Sequence, residues 1–157
     1  RGARHRIAVA DGEALLIDES YNANPASMRA TLKALAATEA TRRIAVLGSM
    51  KELGDFSEPF HRQLAEPLND AGVTHAILVG AEMTALAEEL GKASAGPLGK
   101  PVTFAHCGTP AEAIALLEQY GLAAGDAVLV KGSNSVGLGR LVSHFTVNAP
   151  AGTAAGG

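Results

Sequence analysis

Ala14-Leu15-Leu16-Ile17-Asp18-Glu19-Ser20-Tyr21-Asn22-Ala23-Asn24-Pro25-Ala26-Ser27-Met28 is the stretch that decides the fold class. It begins as an apolar run, residues 14–18, without the polar alternation of a half-exposed strand. Runs of this kind read as strands covered on both faces. Asn24-Pro25 then reads as a helix start. Asparagine is a favoured N-cap, and proline suits the first helical position, where no amide hydrogen is needed. Met28, Leu32, Leu35 and Ala36 fall on one face of the helix that follows. A buried strand, a polar turn and a helix in succession open a βα unit.

The same alternation continues along the chain. Further apolar runs occupy residues 7–10, 44–48, 76–80, 102–105 and 127–132. Asp11-Gly12 separates the first run from residues 14–18, and Asp-Gly favours a tight hairpin, so these two strands are expected to be antiparallel. Helical stripes separate the later runs. Phe60, Leu64 and Leu68 form one, with Pro67 expected to kink that helix or end it early. Met83, Leu86, Ala87 and Leu90 form a second. Ile114 and Leu117 form a third behind Thr109, Pro110 and Glu112, which make a capping box. Leu138, Leu141, Val142 and Phe145 form the last. This order predicts an α/β three-layer sandwich: a mostly parallel six-stranded sheet with one antiparallel edge strand and helices on both faces. Residues 92–100 read as a surface loop. Residues 1–148 are expected to form one domain and 149–157 a flexible tail.

Composition narrows the function. The 157 residues are 47 % apolar but only 4 % aromatic, so one core can be filled, chiefly by Ala, Val, Ile and Leu. The formal charge of −3 comes without a lysine/arginine cluster that could track phosphates, so nucleic acid is not an expected partner. No apolar run approaches the 18 or so residues of a membrane span. The single cysteine, Cys107, rules out an internal disulfide and fits a reducing, cytoplasmic setting. No two histidines have metal-ligand spacing, so no metal site is expected. The chain opens on a strand-like segment without Met, which suggests a piece of a longer protein.

In open sheets of this class, ligands sit beyond the carboxyl ends of the strands. Three loops leave such ends with unusual chemistry. Residues 18–25 pack two carboxylates, a phenol and two amides before a helix start, where anions are attracted. One of these, Asn24, is also the expected cap. Lys131-Gly132-Ser133-Asn134-Ser135 combines a point charge, a backbone that a ligand can approach and short polar groups, which suits a carboxylate or phosphate. Residues 48–55, GSMKELGD, read as an ordinary long βα loop when taken alone. A strand-end lysine such as Lys131 is expected to lie outside the core. No GxxxxGK[ST] loop, dinucleotide GxGxxG fingerprint or GxSxG elbow occurs. Cys107 and His106 are neighbours on a strand end and point apart, which argues against a nucleophile pair.

Residues 16–35, LIDESYNANPASMRATLKAL, resemble the opening of the C-terminal domain of Mur ligases, in particular the D-alanyl-D-alanine-adding branch, for which YNANP is the most specific signal. Residues 44–65, IAVLGSMKELGDFSEPFHRQLA, resemble that family's LGxMxELG loop and the His-Arg helix start after it. Residues 128–142, VLVKGSNSVGLGRLV, resemble its VLVKGSRS segment. Asn134 stands where the family often has arginine, and the usual glutamate of the last helix is replaced near Gly139. The resemblance implies a Rossmann-like domain of an ATP-dependent amide ligase in peptidoglycan precursor synthesis. Such an enzyme activates UDP-N-acetylmuramoyl-tripeptide as an acyl phosphate and adds D-alanyl-D-alanine to it. It implies N-terminal and central domains in the same chain, with ATP and Mg2+ bound mainly by the central one, and a monomer. By position, Asp18, Tyr21, Asn22 and Asn24 would lie on the nucleotide and hinge side. Lys131, Gly132, Ser133 and Asn134 would face the acceptor dipeptide, with Lys131 carrying more of the carboxylate binding because Asn134 replaces arginine. Glu52 and His61 would be helpers. No residue stands out as a general base, and the isolated domain is expected to be inactive. Two alternatives stay open on the residues: the C-terminal domain of another Mur or folylpolyglutamate ligase, and a non-catalytic α/β ligand-binding module.

Overall fold

A computed structural model describes residues 2–92 and 101–147. The expected tail, the domain end at 148 and all but the first residue of the expected loop at 92–100 lie outside the described residues. The strands are β1 (Ala3–Val9), β2 (Gly12–Glu19), β3 (Arg43–Gly48), β4 (His75–Val79), β5 (Thr103–Cys107) and β6 (Ala127–Lys131). The helices are α1 (Pro25–Ala37), α2 (Ser57–Arg62), α3 (Ala65–Asp70), α4 (Thr84–Lys92), α5 (Pro110–Tyr120) and α6 (Gly139–Val147). They form one sheet in the order β1-β2-β6-β3-β4-β5. Every neighbouring pair is parallel except β1 and β2.

Alternate residues of the central strands feed two separate cores, which produces the three layers. Ala45, Leu47, Ala76, Leu78 and Leu129 face Met28, Leu32 and Leu35 of α1, Leu68 of α3 and Leu86 and Leu90 of α4. Ile44, Val46, Ile77, Val79, Val128 and Val130 face Ala113 and Leu117 of α5 and Leu141 and Val142 of α6. Both faces of β3, β4 and β6 are therefore dry, and each fully buried Leu, Ile or Val there contributes roughly 1.5–3 kcal/mol. Local signals placed the helix starts. Asn24 and Ser27 form a reciprocal capping box on α1, and Thr109 and Glu112 form one on α5.

Two details depart from the sequence reading. The first hairpin has Ala10 and Asp11 as its loop, since Val9 pairs with Gly12. Asp11 and Gly12 instead dock the hairpin: Asp11 Oδ1 accepts the Ala124 amide at 2.8 Å, and a Cβ on Gly12 would sit 2.8 Å from the Ala124 Cβ. β1 begins at Ala3, earlier than the apolar run at 7–10, because an edge strand needs only its backbone paired, and Arg4 and Arg6 remain exposed. β5 is likewise an edge, with Thr103 and His106 exposed. Buried Val102 precedes it as an anchor in the α1 side core. As expected from Pro67, the helix around Phe60 is broken early and divides into α2 and α3. Proline has no amide hydrogen for the carbonyl four residues back, so the chain breaks around Gln63 and Leu64.

Candidate functional site at the carboxyl edge of the sheet

β2, β6 and β3 are adjacent and parallel, so their carboxyl ends share one edge. Glu19 and Leu47 both pair with Lys131 in the ladder, which puts Lys131 between the other two strand ends. The three loops singled out in the sequence therefore meet there.

The loop after β2 is tied to itself. Asp18 Oδ1 accepts from the Ser20 amide at 3.0 Å and from the Ser20 hydroxyl at 2.6 Å. The Tyr21 hydroxyl donates to Glu19 Oε1 at 3.0 Å and accepts the Gly2 amide at 2.9 Å. Asn24 Oδ1 accepts the Ser27 amide at 2.8 Å, while the Ser27 hydroxyl oxygen accepts the Asn24 amide at 3.0 Å. Asn22 and Tyr21 are exposed.

Lys131 departs from expectation. It is 2 % exposed and belongs to the core. Its ammonium donates to the Asn22 backbone carbonyl at 2.8 Å, fastening the first loop to the third. Burial pushes its pKa below the ordinary lysine value, with the Glu19 carboxylate pulling the other way. A flexible four-carbon stem lets a strand-end lysine turn inward wherever a backbone carbonyl waits, and the chain pattern alone does not reveal that carbonyl. Gly132 follows, where β6 and β3 converge. A Cβ on Gly132 would lie 2.9 Å from the Gly48 Cα, so any side chain there meets backbone. Ser133 donates its amide to the Ser49 carbonyl at 3.3 Å, and its hydroxyl oxygen accepts the Lys51 amide at 3.1 Å. Asn134 is exposed at the start of a short 3-10 turn leading to α6.

The loop after β3 is held through three consecutive backbone amides. The Ser49 amide donates to the Val79 carbonyl at 3.0 Å, and the Met50 amide to His61 Nε2 at 2.9 Å. Ser49 and Met50 are buried. Glu52, which is exposed, has φ 63°, the one positive value at a non-glycine position among the described residues. This left-handed conformation costs on the order of 1 kcal/mol, and such outliers persist where the surroundings enforce them. Lys51 Nζ pairs with Glu82 at 2.9 Å. Burial raises the Glu82 pKa, but bonds from Lys51, its own backbone amide and Ser49 outweigh it and bring the carboxyl down to about 2. Glu82 enters the site from the segment after β4, whose strand end carried no sequence signal. His61 lies fully buried behind the loop, not at its open side.

A cavity of about 760 Å3 opens at the opposite edge of the sheet, lined by Arg42, Arg43, Val73 and Tyr120 among others. Its cations are already engaged. Arg42 forms a two-pronged pair with buried Asp126 at 2.9 and 2.6 Å. Arg43 donates to the Leu35 and Thr38 carbonyls at the end of α1. At the carboxyl edge the three loops converge, and Asn22, Glu52 and Asn134 are exposed there.

Residues 5–134 match the family model described as "Mur ligase, glutamate ligase domain". The chain belongs to this family. The Mur ligase domain is 37 % identical over 138 residues to the UDP-N-acetylmuramoyl-tripeptide–D-alanyl-D-alanine ligase of Synechocystis sp., covering 88 % of the chain and 29 % of that protein. To the ligase of the same name from Mycobacterium tuberculosis it is 37 % identical over 163 residues, covering 93 % of the chain and 32 % of the relative. Among solved structures, it superposes on MurF from Acinetobacter baumannii with a TM-score of 0.72 at 29 % identity, covering 94 % of the chain and 30 % of the other. It superposes on the Thermotoga maritima MurF ligase in complex with ADP with a TM-score of 0.68 at 25 % identity, covering 93 % and 30 %. The Mur ligase domain thus spans about a third of the length of the curated relatives it matches. The expected Rossmann-like sandwich and family both hold.

Proposed function

We propose that this chain is the C-terminal domain of a cytoplasmic, ATP-dependent ligase that adds D-alanyl-D-alanine to UDP-N-acetylmuramoyl-tripeptide in peptidoglycan precursor synthesis. The observation that carries the reading is the convergence of the Asn22 turn, the Lys131-Gly132-Ser133 loop and the Lys51 loop on one sheet edge, joined by the Lys131–Asn22 and Lys51–Ser133 bonds. The names of the relatives supply the substrates, and the ADP complex of one neighbour supports the nucleotide. No helix among the described residues is long and apolar enough to cross a membrane.

In this reading the edge is half of a cleft, and a central domain of the same chain supplies the other half. The tripeptide carboxylate takes the terminal phosphoryl group of ATP, leaving ADP and an acyl phosphate. The amine of D-alanyl-D-alanine attacks the acyl carbon, loses its proton to solvent or phosphate, and inorganic phosphate departs from the tetrahedral intermediate. What this domain contributes is positioning and charge. Asp18, Tyr21, Asn22 and Asn24 form the nucleotide and hinge side. Gly132, Ser133 and Asn134 form the acceptor side. Lys131 supplies positive charge toward the acceptor carboxylate and holds the two sides together, and Glu52 borders them. Among the described residues no group of three or more His, Cys, Asp or Glu comes together as a metal cage. In this reading Mg2+ and the ATP phosphates fall mainly to the central domain, as the family resemblance implies. The enzyme acts as a monomer, and this domain alone does not ligate.

The test is Lys131→Met in the full-length enzyme. Methionine keeps the volume and removes the positive charge; one charge-assisted interaction with the acceptor carboxylate is worth roughly 2 kcal/mol, so kcat/KM for D-alanyl-D-alanine should fall about 30-fold. Circular dichroism should show a folded variant. Wild-type kcat/KM in a folded Lys131→Met enzyme refutes the assignment. Preference for a single amino acid over the dipeptide would identify a different acceptor, as in other Mur or folylpolyglutamate ligases.

A further inference from the structure

His61 is the one fully buried histidine among the described residues, and the sequence offers no reason for its burial. Its Nδ1 lies 2.6 Å from the Ser57 carbonyl oxygen, which can only accept, so Nδ1 carries the proton. The Ser57 hydroxyl is a further neighbour at 3.3 Å. Nε2 then holds a lone pair, and that lone pair accepts the Met50 amide at 2.9 Å. The partners leave a single tautomer.

Met50 is the middle of three consecutive amides in the loop after β3, and each is held from a different direction. The Ser49 amide is held by the Val79 carbonyl at the end of β4, the Met50 amide by His61 on α2, and the Lys51 amide by the Ser133 hydroxyl after β6. Val79 and Ser133 are reached through the sheet, whereas His61 is the anchor from the helical layer. The strained Glu52 comes directly after these three amides.

We propose that His61 is a positioning residue of the ligase: its neutral Nε2 fixes the Met50 amide and through it the Lys51–Ser133 bond that aligns the loops after β3 and β6. The inference rests on the ligase reading for its kinetic consequence but not for its structural one. Protonation would turn Nε2 into a donor facing a donor and break the Met50 bond. Charged groups act on His61 from two elements: Glu82, from the segment after β4, favours protonation, and Lys51, in the loop itself, opposes it. Burial is the dominant influence and holds the pKa below 6.5, with the Ser57 bond raising it in part. Because the folded pKa is lowered, the Met50 bond's contribution is complete above pH 6.5 and is lost as pH falls through the folded pKa below it.

Two variants test this. His61→Gln can offer an oxygen to the Met50 amide and has no titrating proton. His61→Leu fills the space and leaves that amide without a partner. In the 157-residue chain at pH 7.5, imidazole nitrogen NMR should show Nδ1 protonated and Nε2 free. Exchange of the Met50 amide should be slow in the wild type and in His61→Gln, and about tenfold faster or more in folded His61→Leu, the loss of a single bond. In the full-length enzyme, His61→Leu should raise KM for the acceptor dipeptide about tenfold while leaving KM for ATP unchanged. His61→Gln should restore the acceptor KM and flatten the acidic limb of its pH profile. Unchanged Met50 exchange in folded His61→Leu overturns the inference, as does an Nε2-protonated tautomer or an unchanged acceptor KM. Absence of ligation by the wild-type full-length protein would count against the ligase reading, and the NMR result would still decide the role of His61.

Discussion

Replacing Gly132 by alanine adds one methyl group where β6 and β3 converge. Gly132 does not adopt a positive φ, so the backbone itself accepts a side chain and the whole effect is steric. The new Cβ would lie 2.9 Å from the Gly48 Cα, 3.1 Å from the Gly48 nitrogen and 3.1 Å from Leu138 Cδ1. The first two are backbone atoms of the neighbouring strand end and cannot rotate away. The third belongs to a fully buried side chain packed against α6. Overpacking of this kind costs about 1–3 kcal/mol, and rigid neighbours place the substitution in the upper half of that range. For a domain of this size, about 2–3 kcal/mol lowers Tm by roughly 5–10 °C. Thermal unfolding followed by circular dichroism, with a urea titration for the midpoint, measures it. Gly91→Ala is the matched control. Gly91 is helical, the nearest atom to its added Cβ is Phe104 Cζ at 3.9 Å, and alanine there should stabilise by roughly 0.5–1 kcal/mol. If Gly132→Ala matched the wild type or exceeded it, the close approach of β3 and β6 that builds the site would be wrong.

Asn24→Ala should remove the cap of α1 at a cost of about 1 kcal/mol, while Asn24→Ser should retain most of the stability, both read by thermal unfolding. Glu82 carries an acid signature: its carboxyl is held down to about 2 from an ordinary 4.5, so its stabilising contribution is complete above pH 4.5 and lost as pH falls toward 2. The deficit of Glu82→Gln in urea midpoint should therefore be present at pH 7 and shrink at pH 3, and a constant deficit would remove the Lys51–Glu82 pair from the account.

Much of the site was legible in the chain because its loops are punctuated locally. Asn24-Pro25 and Thr109-Pro110 announce helix starts through bonds that span three residues. The polar turn at 18–24 and Lys131-Gly132-Ser133 stand out against apolar runs. What the chain pattern missed involves partners far apart in sequence. The inward turn of Lys131 depends on the Asn22 carbonyl, 109 residues away. The carboxylate facing Lys51 comes from Glu82, 31 residues on. The burial of His61 follows from the break between α2 and α3 and from a loop amide with no other acceptor.

From its sequence alone, this protein was a parallel α/β sandwich with chemistry at its strand ends, because hydrophobic periodicity and helix caps act over a few residues and do not depend on what lies across the sheet. Strand order was decided only in three dimensions. Placing β6 between β2 and β3 brings three distant loops to one edge, and in a dry interior each polar group that arrives there must find a partner. That requirement turned Lys131, expected outside the core, and His61 into the fastenings between the loops.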